Sequence, residues 1–119
     1  MARAKKAPKQ PWAFLPAKGS HFALAGLASI RAGANGAPLR TFTLITTEAN
    51  AVVGRIHDRM PVMLNTLEER AAWLDERTPI SALRSLLGPA PDALLNARRV
   101  SRAVSNARNE GPQLIEEIP

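Results

Sequence analysis

The sequence predicts an α+β domain whose strands pair mostly antiparallel and which contains two or three short helices. In the first half, short apolar runs alternate with turns rich in Gly, Pro and Asn, as in strands joined by hairpins. In the second half, two helix-start signals follow one another closely. A chain of 119 residues, 45% of them hydrophobic, has the size and composition of one globular domain.

The strands are expected in the order of the apolar runs. Residues 12–15 form a first candidate, and the dense apolar run 21–31 predicts a buried strand interrupted at Gly26. Turn-forming residues at 32–38 predict a hairpin loop. The β-branched and aromatic run 39–46 then predicts the returning strand.

The region after this hairpin begins with a helix-cap signal and continues as an extended segment. Thr47 is expected to cap a short helix that ends near Gly54. Residues 56–63 are expected to be extended, because Pro61 fixes the backbone there. A last strand is expected at 94–104.

Two further helices are predicted between these extended segments. Thr66 and Glu69 have the spacing of a capping box, which predicts a helix running to about Arg77. Pro79 opens the next helix at its first turn, and Gly88 lies just past its expected end.

The net charge of +6 is concentrated near the beginning of the chain. Residues 1–18 hold five basic residues and no acid, which predicts a flexible basic lead-in at residues 1–10 before a domain at 11–119. A second basic group lies in an acid-free stretch and consists of Arg98, Arg99, Arg102 and Arg108. Such groups attract phosphate backbones, although solvated surface charge accounts for them as well.

The composition excludes several classes of chemistry. No Cys is present, which excludes disulfides, thiolate metal sites and a thiol nucleophile in this chain. Its two His, without Cys, make no convincing zinc set, and we expect neither metal nor cofactor. No apolar run approaches the length of a membrane span, so we expect no membrane partner and a cytoplasmic location.

His57 is the strongest catalytic candidate. It stands two residues before Arg59 in an extended segment, which predicts that the two side chains share a face. An imidazole beside a guanidinium suits a phosphate-bearing substrate, because Arg binds the anion while His moves a proton. The alternative is structural: Asp58 and Arg59 form a surface pair and His57 packs in a loop. His21 has a structural explanation at the edge of an apolar run, and Trp73 has the helical spacing of a core residue.

Four separated segments resemble, in the right order, motifs of the SOS response-associated peptidase (SRAP) family. Residues 56–61 match the family's HxRMP signature, and residues 39–50 resemble the strand that leads into its TTxAN turn. Residues 22–27 resemble its FAGLW strand, and residues 100–106 its closing VSxxVN strand. The resemblance extends from about Lys9 to Pro119 and implies the family's mixed β-barrel-like fold.

The resemblance also implies a mechanism on single-stranded DNA. Members of the family use an N-terminal Cys, whose amine and thiol react with the aldehyde of an abasic site and form a stable thiazolidine crosslink during the DNA-damage (SOS) response. The signature His assists proton transfer at the sugar, a role that falls on His57. DNA contacts are expected at Arg59, with support from Thr47 and Asn50, and at Arg102. A nucleoid-associated location follows.

The chain departs from the family pattern at residues to which the family's chemistry is assigned. Its second residue is Ala2, and residues 27–29 read Leu-Ala-Ser where the family has Trp and Glu. The resemblance therefore covers the C-terminal part of the domain, and we expect this chain to be inactive alone in peptidase, hydrolase or lyase-type chemistry. A separately encoded N-terminal half is one expected partner. The alternatives are a non-catalytic basic nucleic-acid-binding module and a truncated gene product.

Overall fold

A computed structural model describes residues 7–119 and shows short elements linked by tight turns. Its strands and helices, in chain order, are β1 (Trp12–Pro16), β2 (Gly26–Ala32), β3 (Pro38–Leu44), β4 (Thr46–Glu48), β5 (Arg59–Pro61), α1 (Leu67–Leu74), α2 (Ile80–Arg84) and β6 (Leu95–Arg99). Single 3-10 turns occupy Val53–Arg55, Asp92–Leu94, Arg102–Ser105 and Pro112–Ile115. In this part of the chain every strand pair is antiparallel, as the sequence predicts: β1 with β6, β2 with β3, and β4 with β5.

The β2–β3 hairpin confirms the predicted loop but corrects the predicted burial. Gly36 adopts φ of +75° in the connecting turn, where Gly avoids the steric cost of a side chain. The run 21–31 was expected to be one buried strand, yet the strand begins only at Gly26 and its residues from Leu27 onward are exposed. The hairpin extends from the molecule, and in the described chain no other element packs closely against it.

A three-way junction, formed by residues 23–25, Ile45 and residues 62–64, is the centre of the fold. The Ala25 amide donates to the Val62 carbonyl (2.9 Å), the Ile45 amide to the Ala25 carbonyl (3.0 Å), and the Val62 amide to the Ile45 carbonyl (2.8 Å). Ala25 and Val62 are fully buried. The predicted strand 39–46 is therefore divided: Ile45 leaves the hairpin to bond within the junction, and β4 starts after it.

Helix α1 begins as the sequence predicts and ends earlier. The Thr66 hydroxyl accepts the Glu69 amide (3.1 Å), while the Glu69 carboxylate accepts the amide of Asn65 (2.8 Å), one residue before the expected partner. The helix was expected to reach about Arg77 but ends at Leu74, because Asp75 turns extended and its carboxylate accepts the Arg77 amide. Trp73 donates its Nε1–H to the Gly26 carbonyl (3.0 Å) and packs against the junction, which confirms its predicted structural role.

The second half contains two other corrections. Helix α2 ends at Arg84 rather than beside Gly88, and its last turn continues as two turn residues. The last strand was expected at 94–104 but stops at Arg99, because the Ser101 hydroxyl caps a 3-10 turn by accepting the Ala103 amide. The final residues return alongside this strand, where the Ile118 amide donates to the Arg99 carbonyl (3.0 Å).

The hydrophobic core is small for a chain of this length. Two clusters carry it, one around Val53, Met60, Met63, Ala90 and Leu95, the other around Ala25, Val62 and Leu64. The accessible surface is 9643 Å², whereas a compact protein of 12.8 kDa exposes about 6,300 Å². Among the helices described, none combines the length and the apolar character needed to cross a membrane.

Candidate nucleic-acid interface

The β4–β5 pair decides which side chains of the two signature segments face solvent. In its register Thr46 lies opposite Pro61, Thr47 opposite Met60, and Glu48 opposite Arg59. Since side chains alternate along a strand, Thr47 shares the inner face with buried Met60, and the outer face carries Thr46, Glu48 and Arg59. Thr47, a predicted DNA contact, is half-buried on the inner side, whereas its neighbour Thr46 stands beside Arg59.

Arg59 is exposed and anchored at one point. One terminal guanidinium nitrogen donates to the Thr46 hydroxyl at 3.0 Å. This bond uses one of the five N–H donors of the guanidinium, so the remaining donors can face a ligand from a fixed position. The geometry suits recognition of an anion that approaches the outer face of β4–β5.

The His57 ring folds back onto the backbone of Arg59. Its Nδ1 lies 3.0 Å from the Arg59 amide nitrogen and 3.1 Å from the Arg59 carbonyl oxygen. The Asp58 carboxylate is 3.4 Å from the same nitrogen, and the side chain of His57 is 66% exposed. The imidazole thus contacts the backbone of Arg59, and whether the two side chains act on a shared face stays a prediction. The segment 56–63 was expected to be extended, but its strand begins only at Arg59, because Ile56 still belongs to the turn after Val53.

The contact between the His57 ring and the Arg59 backbone is compatible with two forms of the neutral imidazole. With the ring hydrogen on Nε2, Nδ1 accepts the bond from the Arg59 amide. With the ring hydrogen on Nδ1, that nitrogen can donate to the Arg59 carbonyl or to the nearby Asp58 carboxylate. Only the first form presents an N–H donor at Nε2.

Asn50 holds the loop that carries His57. Its carboxamide donates to the Ala90 carbonyl (2.9 Å) and accepts the amide of Val53 (2.9 Å), which starts the 3-10 turn. The His57 amide then donates to the Val53 carbonyl at 2.9 Å. This corrects the predicted helix cap: Asn50, not Thr47, caps the turn, because Thr47 belongs to β4. Asn50 is buried and both ends of its carboxamide have hydrogen-bond partners within the chain, and its role in DNA binding stays a prediction.

The basic group near the C-terminus separates into two pairs. Arg98 donates to the Ile115 carbonyl (3.1 Å) and Arg99 to the Pro119 carbonyl, so both guanidinium groups hold the final segment against β6. Arg102 and Arg108 are exposed, and Arg102 opens the 3-10 turn after β6. Among the described residues, no hydrogen bond or ion pair joins Arg102 to the His57 loop, and the role of Arg102 in DNA binding stays a prediction.

Thr46 and Glu48 are the residues of this surface that sequence reasoning missed. The signal was present, since alternation from Thr47 places both neighbours on the opposite face. What the sequence lacked was the register, which sets Glu48 directly across from Arg59.

The remaining candidates have structural explanations. The His21 ring has a hydrogen-bond partner in the Ser20 hydroxyl (2.8 Å), although no strand begins there. Within residues 7–119 no group of three or more potential ligand side chains is arranged for a metal ion.

The flexible lead-in was predicted for residues 1–10, of which 1–6 lie outside the described residues. At its end the Gln10 carboxamide donates to the Val100 carbonyl (2.8 Å).

The chain is similar in sequence to proteins named for abasic site processing. It is 43% identical to the abasic site processing protein YoqW of Bacillus subtilis over 96 residues, 80% of this chain and 42% of YoqW. It is 36% identical to the abasic site processing protein HMCES of Gallus gallus over 84 residues, 70% of this chain and 24% of HMCES. The chain therefore spans less than half the length of the curated relatives it matches.

A solved structure supports the fold. The crystal structure of a Bacteroides thetaiotaomicron protein superimposes with a TM-score of 0.83 at 24% identity, covering 98% of this chain and 52% of that one. The family profile for the SOS response associated peptidase (SRAP) matches residues 2–107. The match spans most of the sequence and includes the His57–Arg59 surface and the turn that supports it. The chain belongs to the SRAP family.

Proposed function

We propose that this chain provides the DNA-contacting surface of an abasic-site processing domain that binds single-stranded DNA in the DNA-damage response. The support is an exposed imidazole that contacts the backbone of Arg59, together with an exposed Arg59 guanidinium that is anchored on Thr46. The relatives named for abasic site processing share this part of the sequence. A cytoplasmic, nucleoid-associated location belongs to the same proposal.

His57 is the proposed catalytic residue. Protonated His57 is proposed to donate its Nε2 proton to an oxygen of the abasic sugar, which leaves the neutral ring with its hydrogen on Nδ1, within reach of the Arg59 carbonyl. Arg59 is proposed to bind the neighbouring phosphate through the donors that its bond to Thr46 leaves available. Thr46 and Asn50 position these two groups, the first by direct contact and the second through the loop at Val53. Arg102 is proposed as a further phosphate contact.

The covalent step needs a group that this chain does not contain. A thiazolidine forms from an aldehyde, an amine and a thiol, and the sequence has no Cys. The amines of this chain can form at most a reversible imine. We therefore propose that the chain acts together with a polypeptide that carries the nucleophilic Cys and corresponds to the N-terminal half of the family domain.

The test is binding to a fluorescent single-stranded oligonucleotide that contains one abasic site. Arg59→Ala is expected to weaken binding about tenfold and to reduce the slope of log K against log salt concentration by about one. The matched control is Arg84→Ala, which removes an exposed arginine from α2. Heating in denaturant should leave no adduct with this chain alone.

The outcomes separate the proposal from its main alternative. Equal losses for Arg59→Ala and Arg84→Ala, with no preference for abasic over intact strands, would indicate a non-catalytic basic nucleic-acid-binding module. A heat-resistant adduct would show that the argument from the missing Cys is wrong. Nitrogen-15 NMR of the histidine rings supplies an independent check, because a His57 ring that shows no change on binding the abasic strand contradicts the proposed role.

A further inference from the structure

We propose that Asn35 is a site of spontaneous covalent modification, at which the side-chain carboxamide is lost and an aspartate or isoaspartate takes its place. The site lies in the turn that joins β2 to β3. The inference concerns the chemistry of this turn, and it holds whether or not His57 acts on DNA.

The turn is closed by two backbone hydrogen bonds. The Gly36 amide donates to the Gly33 carbonyl (3.0 Å), and the Gly33 amide donates to the Ala37 carbonyl (2.7 Å). Ala34 and Asn35 therefore hold the two central positions of a β-turn, and Gly36 follows with φ of +75°. A hairpin loop of this kind ends in glycine for steric reasons, which puts a glycine directly after Asn35.

The following glycine leaves Asn35 open to attack by its own backbone. The Gly36 nitrogen and the Asn35 carboxamide carbon, Cγ, can join in an unstrained five-membered ring. A side chain on the next residue hinders this approach, and Gly36 has none. Apart from its chain neighbours, no heavy atom lies within 4 Å of the position that a Cβ of Gly36 would occupy. Both residues are exposed, so the space for ring closure is open.

The reaction needs water as its only co-reactant. The Gly36 nitrogen loses its proton and bonds to Cγ of Asn35, the bond from Cγ to Nδ2 breaks, and ammonia leaves with that proton. Water then opens the cyclic imide. Attack at Cγ gives aspartate, whereas attack at the backbone carbonyl carbon gives isoaspartate, in which the main chain passes through Cβ and Cγ. Either product adds one negative charge to a chain of net charge +6.

The hairpin offers little resistance to the opening that ring closure requires. The Gly36 amide must release the Gly33 carbonyl before its nitrogen can turn toward Cγ. In the described residues no other element packs closely against β2 and β3, and a lone two-stranded hairpin is at best marginally stable in water. Opening of the turn therefore costs less free energy than unfolding of the chain.

Asn35 differs from the other five asparagines of the chain, each of which precedes a residue with a side chain. These five are Asn50, Asn65, Asn96, Asn106 and Asn109. The carboxamides of Asn50, Asn106 and Asn109 are held by hydrogen bonds within the chain. Asn96 lies inside β6, where pairing with β1 fixes its backbone. Exposure, a turn and a following glycine coincide at Asn35.

The experiment incubates the full chain in buffer without DNA and follows the turn by tryptic digestion and mass spectrometry. Trypsin cleaves after Arg31 and Arg40 and releases residues 32–40. We expect this peptide to gain about 1 Da with time and to separate into two products by chromatography. The rate should rise with pH, because the attacking nitrogen must lose its proton. An enzyme that methylates isoaspartyl carboxylates should label one of the two products.

The same digestion supplies an internal control. Residues 103–108 contain Asn106, which is followed by Ala107, and this peptide should stay unmodified over the same period. Asn35→Gln is the matched variant, because its ring closure is less favourable, and it should slow the modification at least about tenfold. Equal rates at Asn35 and Asn106, or an Asn35 peptide that does not change, would overturn the proposal.

A synthetic peptide of residues 32–40 tests the contribution of the fold. We expect the rate in the folded chain to lie within about tenfold of the rate in the peptide, because the turn opens readily. A rate lower by about a hundredfold or more would show that the bond between Gly36 and Gly33 protects Asn35, and would contradict the inference. All these measurements are made without DNA, so their failure is independent of the proposed function.

Discussion

The three-way junction and the β2–β3 hairpin are adjacent in the sequence and opposite in environment. Both are apolar and both are built from extended backbone. In the junction, Ala25 and Val62 are fully buried and three short segments exchange backbone hydrogen bonds. One residue later the chain enters a hairpin whose largest side chain, Phe42, is mostly in solvent.

The difference shows that an apolar sequence indicates that a segment favours burial, but does not determine whether the segment is buried. A strand becomes core when a third segment is available to close over it, as residues 62–64 close over Ala25. The hairpin has an apolar face but no such third layer among the described residues. Within the described residues, the junction is therefore stabilised by contacts that the hairpin lacks.

The largest expected effect tests that contrast directly. Val62→Asp places a carboxylate in the closed junction and should cost more than about 3 kcal/mol of unfolding free energy, or remove the cooperative transition altogether. Ile30→Asp on the exposed hairpin should change the free energy by about 0.5 kcal/mol or less. Urea denaturation followed by circular dichroism measures both free energies. Equal effects would contradict the contrast between the buried junction and the exposed hairpin.

A second prediction concerns the loop between the junction and the candidate site. Asn50→Ala removes the cap of the Val53 turn and leaves the Ala90 carbonyl without its donor, which should cost about 2–3 kcal/mol. Asn50→Asp keeps the acceptor and loses the donor, so it should show most of that cost. Hydrogen exchange at residues 53–57 should accelerate in both variants, and an unchanged rate would contradict the positioning role.

A third prediction asks whether α1 supports the junction through Trp73. Thr66→Ala removes the helix cap and should lower the unfolding free energy by about 1 kcal/mol. Glu68→Gln, on the same first turn, is the milder comparison, because it removes only the favourable interaction of a carboxylate with the helix N-terminus. If a thermal melt shows the same stability for both variants, the helix cap does not contribute to the stability of the junction.

The smallest effect is a pH dependence at the end of α1. Hydrogen bonds from the Arg77 guanidinium, and then from its backbone amide, lower the pKa of Asp75 below the ordinary value of 3.8. A lowered folded-state pKa adds stability above pH 3.8, and that contribution disappears as the pH falls through the folded value. Arg77→Gln should raise the pKa of Asp75 in an NMR titration, whereas Arg84→Gln should leave it unchanged.

Sequence reasoning predicted that the His57 and Arg59 side chains share a face of an extended segment, and this stays a prediction. In the structure His57 precedes β5 and its ring contacts the Arg59 backbone. The roles of Thr46, Thr47 and Asn50 needed the β4–β5 register and the contact with Ala90, forty residues away in the chain. Side-chain alternation is a local property, but which side faces the core depends on long-range packing.

The sequence by itself determined the antiparallel α+β pattern, the α1 capping box and the absence of a thiol, because turn chemistry, helix capping and composition act over a few residues. Tertiary structure decided where strands end and which apolar runs are covered. The division at Ile45 follows from bonds to segments distant in the chain, whereas the end of β6 at Arg99 follows from the local cap at Ser101, which the sequence analysis missed. Burial depends on packing across the whole structure. The run 21–31, which the sequence predicts to be a buried strand, is therefore exposed from Leu27 onward in the fold.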